Sequence, residues 1–297
     1  MSTSNENDFG VCAILEKNAV QRTSIELFTL KDRVAVITGG QGGLGLEMAL
    51  AYAQAGTAVY CIDLAAKPSD QFKHVQKFIH DSPALVIGRE KSTQSLKGRL
   101  EYVSCDVTKQ ENIWNTVRQI ADKEGRLDIC VASAGVLKGA DVLEYPAADF
   151  QKVMDVNVNG ALFTAQAAGR AMVKHNSRGS IILLAGMAGN IANKDMHTTA
   201  FNASKAAVIQ MARSIASELG SKGIRCNALS PGYVYTEMTK EFLHDNPNME
   251  KEWRSQNPLN RIAKPQELQG MALFLASDAS SFCTGSNMLV DGGDTAW

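Results

Sequence analysis

The sequence predicts an α/β fold: a single doubly wound domain of Rossmann type, with a seven-stranded parallel sheet and helices on both faces. Short β-branched runs alternate with longer segments of helical period along the 297 residues. Strands that alternate with helices imply right-handed crossovers and a parallel sheet that is covered on both faces. No Pro/Ser-rich linker or change in composition divides the chain, so one domain is predicted over residues 30–297.

The predicted elements follow one another in a regular order. The strands are predicted at Arg33–Thr38, Ala58–Asp63, Leu100–Ser104, Leu127–Val131, Ser180–Leu184, Ile224–Leu229 and Asn287–Val290. The helices are predicted at Gly45–Gln54, Glu111–Lys123, Ala147–Lys174, Phe201–Leu219 and Pro265–Ala276. Each helical segment repeats apolar residues at three- and four-residue spacing, as a helix with one buried face requires.

Three segments depart from this alternation. Residues 1–29 are polar with scattered apolar positions and are predicted to form a partly disordered arm. Residues 65–99 form a predicted surface insertion with one helix at Asp70–His80. Residues 236–257 form an irregular late stretch, which is predicted to be a substrate lid.

Composition and charge exclude several classes of function. A net charge of −1 gives no electrostatic reason to expect a nucleic-acid or membrane partner. No secretory leader and no apolar run of about 18 residues are found, so a cytoplasmic protein is predicted. Cys61, Cys130 and Cys226 fall in apolar strands and are predicted to be reduced. The five histidines show no ligand spacing, so no metal is expected.

A glycine-rich turn after the first strand indicates a dinucleotide cofactor. The turn reads Thr38-Gly39-Gly40-Gln41-Gly42-Gly43-Leu44-Gly45 and opens the first helix. Glycine lets the backbone turn sharply and approach a pyrophosphate, whose charge meets the free N–H groups of the helix start.

The end of the second strand favours NAD(H) over NADP(H). Asp63 is placed to accept hydrogen bonds from the adenosine ribose hydroxyls, and its charge repels the extra phosphate of NADP. The glycine turn supplies no Arg or Lys to neutralise that phosphate. NADP(H) remains open, because Asp63 can instead cap the following turn.

Ordered motifs along the chain resemble those of the short-chain dehydrogenase/reductase family. Besides the glycine turn, they are Asp106-Val107, Ala132-Ser133-Ala134-Gly135, Asn157, Pro231-Gly232 with Thr236, and Val290-Asp291-Gly292-Gly293. The resemblance spans about residues 30–297. Asp63 and the C-terminal tryptophan are most similar to the fungal polyol and sugar dehydrogenase branch.

The resemblance implies a set of cofactor-binding residues. They are Thr38, Gly39, Gln41, Gly43, Leu44, Gly45, Asp63, Asp106, Val107, Ala134, Gly135, Asn157, Lys205, Pro231, Gly232, Val234 and Thr236. It also implies a homotetramer packed through the segments Ala147–Lys174 and Phe201–Leu219.

Two residues depart from the family's catalytic pattern. Gly186 occupies the position of the family's serine, and Phe201 occupies that of its tyrosine, while Asn157 and Lys205 are retained. A phenyl ring has no proton to donate, and glycine has no hydroxyl to polarise a carbonyl. A positioned acid contributes about 10²–10⁴ in rate and one oxyanion donor about 10²–10³. Ordinary ketone–alcohol interconversion is therefore predicted to be impaired.

An iminium substrate tolerates this loss, because hydride addition to C=N⁺ needs no proton. A concerted cyclisation also needs no proton shuttle. Asp195, six residues before Phe201, is the candidate carboxylate that stabilises a cationic substrate. His197 is the candidate replacement acid for an orthodox carbonyl or polyol reaction.

The main hypothesis is therefore an NAD(P)(H)-binding enzyme of small-molecule biosynthesis that reduces an iminium or guides a cyclisation. The pattern is similar to a group of fungal indole-alkaloid reductases and Diels–Alderases derived from the same family. Three alternatives remain: an orthodox carbonyl or polyol oxidoreductase, a cofactor-binding pseudoenzyme, and a variant whose catalytic hydroxyls were replaced deliberately.

Overall fold

A computed structural model describes residues 23–87, 94–194, 196–245 and 247–297. The predicted arm falls mostly outside these ranges, at residues 1–22. Within the described ranges the chain forms one α/β unit that alternates strands and helices as predicted. The strands are β1 Val34–Thr38, β2 Ala58–Asp63, β3 Leu85–Ile87, β4 Gln94–Leu96, β5 Arg99–Ser104, β6 Ile129–Ala132, β7 Ser180–Leu184, β8 Arg225–Pro231 and β9 Asn287–Val290.

The helices cover both faces of the main sheet. They are α1 Gly43–Gln54, α2 Asp70–Asp81, α3 Gln110–Glu124, α4 Ala147–Met154, α5 Gly160–Lys174, α6 Thr199–Leu219, α7 Glu237–Asp245, α8 Pro247–Ser255 and α9 Gln269–Ala276. A π-helical turn at Asp155–Asn159 joins α4 to α5, so the predicted helix Ala147–Lys174 is continuous and contains one π-helical turn. The predicted helix Pro265–Ala276 begins with a 3₁₀ turn at Pro265–Leu268.

The main sheet has seven parallel strands in the order β5-β2-β1-β6-β7-β8-β9. From β1 the chain first proceeds outward through β2 and β5, and then returns to β6 on the other side of β1. The strand order therefore reverses between β1 and β6, where Thr38 is paired with Ala132. Such a reversal opens a crevice at the carboxyl ends of the strands, where α/β proteins bind their ligands.

Apolar residues on the two faces of the sheet form two core layers. One layer packs Val117, Met172 and Ala212 from α3, α5 and α6 against the strands. The other packs Tyr52 from α1 and Leu275 from α9. The central strands are buried on both faces, which is why they read as continuous apolar runs rather than as alternating patterns.

The predicted insertion and lid have more regular structure than the sequence indicated. The insertion contains α2 and also a two-stranded antiparallel sheet of β3 and β4, whose connecting residues 88–93 lie outside the described ranges. The segment predicted to be a lid contains α7 and α8. Three-residue strands carry too little period to be recognised in a sequence.

Cys61, Cys130 and Cys226 lie in the core and form no disulfide. Burial raises the pKa of each thiol, so these side chains are inert packing groups. In the described ranges, no helix is long and apolar enough to cross a membrane. The same ranges contain no group of three His, Cys, Asp or Glu side chains that is suited to hold a metal ion.

Candidate active site

A cavity of about 730 Å³ lies at the carboxyl edge of the sheet, over the crevice between β1 and β6. One end is bounded by the glycine turn and Asp63, and the other end by Phe201 and Tyr233. The cavity thus extends from a polar, glycine-rich end to an end with aromatic walls. This arrangement suits a dinucleotide that lies along the sheet edge with a small molecule beside it.

The glycine turn has the shape that a pyrophosphate requires. Gly39 has a φ of +67° and Gly43 a φ of +50°, both in the region that favours glycine. A Cβ at Gly39 would lie 2.9 Å from backbone atoms of Ala134, so the turn packs closely against the end of β6. A Cβ at Gly43 would meet nothing within 4 Å, which means that the helix start is open toward the cavity. The turn therefore fits a phosphate group held by backbone N–H donors.

Asp63 ends β2 and borders the cavity. Its carboxylate accepts hydrogen bonds from the backbone N–H of Gln41 at 3.3 Å and of Leu64 at 2.8 Å. These donors fix the carboxylate beside the glycine turn, where an adenosine ribose would lie. Both the capping role and the ribose-binding role that the sequence left open are compatible with this placement.

The structure brings most of the predicted cofactor-binding residues to this one cavity. Its lining includes Gly39, Gln41, Gly43, Leu44, Gly45, Asp63, Asp106, Val107, Ala134, Gly135, Lys205, Pro231, Gly232, Val234 and Thr236. Two predicted residues, Thr38 and Asn157, are buried behind the wall. The Thr38 carbonyl accepts a hydrogen bond from the Ser133 hydroxyl at 2.6 Å and so joins β1 to the end of β6.

Asn157 lies in the π-helical turn between α4 and α5. Its Oδ1 accepts from the backbone N–H of Val136 at 2.8 Å, and its Nδ2 donates to the Val136 carbonyl and to the Ser204 hydroxyl, each at 3.0 Å. Extra residues in a helical turn often mark functional sites, because they redirect one side chain out of the regular spacing. Asn157 therefore connects the loop after β6 to α6 through side-chain hydrogen bonds.

Lys205 on α6 is the buried cation of the site. Its Nζ donates to the Leu184 carbonyl at 2.8 Å and lies 5.3 Å from the centroid of the Phe201 ring. Burial disfavours the charged form and lowers the pKa of Lys205 to about 8. A lysine that is poised near neutral pH at the cavity wall can bind ribose hydroxyls and place a positive field there.

The two positions that depart from the family pattern both face the cavity. Gly186 has an extended backbone, and a Cβ there would meet no atom closer than 3.8 Å. The position therefore has room for a side chain, and glycine is not required by the backbone. Phe201 places a phenyl ring beside Lys205, at the position where the family carries a phenol.

The structure does not bring His197 to the cavity. Its side chain is 64% exposed and points toward Asp141, with 3.8 Å between Nδ1 and Oδ2. The expectation that His197 replaces the missing acid is therefore not supported, because a loop residue flanked by inward-facing neighbours, Met196 and Thr198, itself turns outward. Asp195, the other candidate in this loop, lies outside the described residues.

Sequence reasoning missed the aromatic wall at the substrate end. The rings of Tyr233 and Trp253 stack with 4.1 Å between centroids and 8° between planes. Tyr233 lines the cavity, and its hydroxyl accepts a hydrogen bond from Asn193 Nδ2 at 3.0 Å. The sequence signals were Trp253 in the predicted lid and an aromatic residue directly after Pro231-Gly232, and neither of them indicates that the two rings meet.

Comparison with known families agrees with this geometry. Residues 39–295 match a family model described as Enoyl-(Acyl carrier protein) reductase. The matched region begins in the glycine turn and ends after the final strand, so it includes the whole cavity.

Individual relatives cover nearly the whole chain. A protein of Aspergillus versicolor, "Short chain dehydrogenases/reductase notP'", is 37% identical over 279 residues, which are 92% of this chain and 90% of the relative. The D-arabinitol 2-dehydrogenase [ribulose-forming] of Candida tropicalis is 35% identical over 280 residues, 91% of this chain and 95% of the relative. A crystal structure of a short-chain type dehydrogenase/reductase from Mycobacterium marinum superposes with a TM-score of 0.81 at 35% identity, covering 93% of this chain and 100% of that one.

Proposed function

This chain belongs to the short-chain dehydrogenase/reductase family, and we propose that it transfers hydride between a nicotinamide cofactor and a small apolar molecule without the family's Ser and Tyr hydroxyls. The type, an NAD(P)-dependent oxidoreductase, follows from the family. The observation that carries the finer proposal is the cavity wall, which keeps Lys205, with Asn157 buried behind it, but has Gly186 and Phe201 at the hydroxyl positions.

The residues present fit the cofactor. The glycine turn offers N–H donors for the pyrophosphate, Asp63 offers acceptors for the adenosine ribose, and Lys205 offers a cation for the nicotinamide ribose. When bound, the nicotinamide supplies or accepts the hydride. The protein's own contributions are to position the two partners and to exclude water from the reacting carbon.

The first substrate class is a carbonyl compound or the corresponding alcohol. Relatives named as arabinitol and sorbose enzymes support this class. The aromatic and methionine side chains at the substrate end favour an apolar ketone over a polyol, because a polyol needs many hydrogen-bond partners there. Such a reaction requires a proton source other than residues 186 and 201.

A second substrate class is an iminium or conjugated compound, reduced at carbon or guided through a cyclisation. The missing hydroxyls favour it, because hydride addition to a cationic C=N bond needs neither an acid nor an oxyanion donor. Phe201 borders the cavity with an apolar ring, over which the Lys205 ammonium lies at 5.3 Å from the centroid.

We further propose a preference for NAD(H). Asp63 is the carboxylate nearest the glycine turn in the cavity lining, and two backbone N–H donors hold it in place. A 2′-phosphate placed beside this fixed negative charge would be repelled.

The test measures oxidation of reduced nicotinamide by purified protein with each of four probes: L-sorbose, D-ribulose, phenanthrenequinone and an N-methyldihydroisoquinolinium salt. The matched control is Gly42→Asp. A Cβ at Gly42 meets only Gln71, at 4.0 Å, and the backbone there is extended, so the variant should fold. Its new carboxylate would lie beside the pyrophosphate and prevent binding.

We expect turnover of phenanthrenequinone or of the iminium by the native protein and none by Gly42→Asp. Native protein that binds reduced nicotinamide in calorimetry but oxidises it with none of the four probes would contradict the proposal. That result would favour a pseudoenzyme. Turnover of L-sorbose or D-ribulose at rates above the apolar ketone would contradict the apolar substrate class.

A homotetramer remains a proposal. Phe150 on α4 and Val173 on α5 are exposed apolar residues on the predicted assembly helices. Light scattering coupled to size-exclusion chromatography should give four times the mass of the 32.0 kDa chain.

A further inference from the structure

The cavity lining contains several hydroxyl groups, and most of their protons are already donated to other groups of the protein. The Ser, Thr and Tyr side chains in the described lining are Thr108, Ser133, Thr198, Tyr233, Thr236 and Thr239. Thr108 donates to Asp106, Ser133 to the Thr38 carbonyl, Thr198 to Asn202, Thr239 to the Val234 carbonyl, and Thr236 contacts the Thr239 hydroxyl. A hydroxyl whose proton is already donated is a poor acid toward a substrate.

Tyr233 differs from the other five. Its Oη accepts from Asn193 Nδ2 at 3.0 Å, which leaves the phenol proton free to point into the cavity. Asn193 lines the same cavity, so donor and acceptor lie on one wall. The stacking on Trp253 fixes the ring plane and thereby limits the directions that the hydroxyl can take.

Tyr233 and the vacant serine position, Gly186, line the same cavity. A Cβ at Gly186 would lie 3.8 Å from the carbonyl oxygen of Pro231, the last residue of β8, and Tyr233 follows two residues later. Asn193 lies in the loop that runs from Gly186 to Phe201. The Tyr233–Asn193 pair thus joins the loop between positions 186 and 201 to the segment that follows β8.

We propose that Tyr233 is the proton donor to the substrate oxygen in carbonyl reduction, with Asn193 positioning its hydroxyl. This assignment rests on the proposed function. With reduced nicotinamide bound, the hydride that it supplies would form the new C–H bond and turn the C=O bond into a C–O⁻ group. The Tyr233 O–H bond breaks as its proton forms the alcohol O–H bond, and the Asn193 N–H donates to the phenolate that remains. Water then restores the phenol proton.

The surroundings of Tyr233 suit an acid better than a base. Burial raises the pKa of Tyr233 to about 12, the Asn193 hydrogen bond lowers it, and the charges of Asp294 and Glu252 raise it further. The phenol is therefore fully protonated at neutral pH. Reduction should be independent of pH between about 6 and 9, whereas alcohol oxidation should rise about tenfold per pH unit, because it needs the scarce phenolate.

The test compares Tyr233→Phe with Tyr235→Phe. The first variant removes one oxygen and keeps the ring that stacks on Trp253. The second removes the hydroxyl that donates to Glu250 at 2.5 Å, from a residue that is not in the cavity lining. We expect Tyr233→Phe to lower kcat for phenanthrenequinone reduction by about 10²-fold or more, and Tyr235→Phe to leave it unchanged.

Three further measurements separate proton donation from a structural effect. Reduction of the N-methyldihydroisoquinolinium salt should be unaffected in Tyr233→Phe, because that reaction takes up no proton. Calorimetric affinity for reduced nicotinamide should also be unchanged. Affinity for phenanthrenequinone without cofactor should fall by about two- to tenfold, as the loss of one hydrogen bond predicts.

Restoring the family phenol provides a rescue. Phe201→Tyr in the Tyr233→Phe background should recover at least tenfold of the lost ketone activity. Equal ketone rates in Tyr233→Phe and native protein would overturn the assignment while the proposed hydride transfer stands. Native protein that reduces the iminium and no ketone would also overturn it. Native protein that reduces no probe would refute the proposed function, and this assignment with it.

Discussion

The missing hydroxyls make a direct prediction, namely that restoring them creates or strengthens ketone reduction. The perturbation is the pair Gly186→Ser and Phe201→Tyr. The structure accepts both changes. A Cβ at Gly186 meets nothing closer than 3.8 Å on an extended backbone, and Phe201 is half-buried at the cavity wall. We therefore expect the free energy of unfolding to change by no more than about 1 kcal/mol.

The magnitude follows from the two roles. A positioned acid contributes about 10²–10⁴ and one oxyanion donor about 10²–10³, but groups that act as a unit do not multiply. An increase of about 10²–10⁴ in kcat for phenanthrenequinone corresponds to about 3–5 kcal/mol of transition-state stabilisation. Lys205 is already in place beside residue 201, with a pKa lowered to about 8, to support the new phenol.

The assay measures the rate of nicotinamide oxidation at saturating cofactor, with thermal unfolding of each variant recorded alongside. Gly189→Ser is a steric contrast, because its Cβ would lie 2.6 Å from the backbone carbon of Lys205 and should lower Tm by several degrees. A double variant that keeps native Tm and cofactor affinity but gains less than about threefold in ketone reduction would refute the reasoning. It would mean that neither an acid at position 201 nor an oxyanion donor at position 186 adds to what Tyr233 already supplies in the native site.

Three further predictions concern charge. Asp63→Asn should raise the ratio of NADP to NAD affinity by about tenfold or more, as measured by calorimetry with each nucleotide, because a fixed negative charge beside the 2′-phosphate is removed. Burial and then Asp291 raise the pKa of Asp294 to about 6, so the folded protein loses stability as pH rises from about 4 to 6. Asp294→Asn should therefore match the native free energy of unfolding near pH 4 and exceed it at pH 7 by on the order of 1–2 kcal/mol after screening, with Tm shifting in the same direction. The pKa of Lys205 is lower in the folded protein than in the unfolded chain, so the cost of burying its charge is complete below pH 8 and fades toward pH 10.5. Lys205→Met should therefore stabilise the unliganded protein at pH 7 by on the order of 1–3 kcal/mol, and this difference should shrink by pH 10. The same variant should weaken the binding of reduced nicotinamide.

Each of these charge predictions has a clear contrary result. An unchanged nucleotide ratio in Asp63→Asn would show that the carboxylate only caps its own turn. A constant Tm difference across pH for Asp294→Asn would show that the carboxyl is not desolvated in the folded state. A loss of stability at pH 7 in Lys205→Met would show that the Leu184 hydrogen bond outweighs the burial penalty.

Those parts of the molecule that depend on local backbone chemistry could be predicted from the sequence. The glycine turn is an example, because the positive φ at Gly39 and Gly43 is a property that glycine supplies wherever it stands. The strand-like runs and their alternation with helices likewise predicted a parallel sheet with helices on both faces. Element ends shifted by one or two residues, as β6 shows, since pairing partners and not single residues decide where a strand stops.

Tertiary structure alone decided which side chains share the cavity. His197 and Met196 are neighbours in the chain, yet only Met196 lines the cavity, because the loop turns between them. Tyr233 and Asn193 are 40 positions apart and meet because the ends of β7 and β8 lie at the same edge of the sheet. The sequence determined the cofactor turn and the missing hydroxyls. Which remaining side chain can act as the acid could be inferred only from the tertiary structure, because hydrogen-bond partners and burial depend on distances that sequence spacing does not encode.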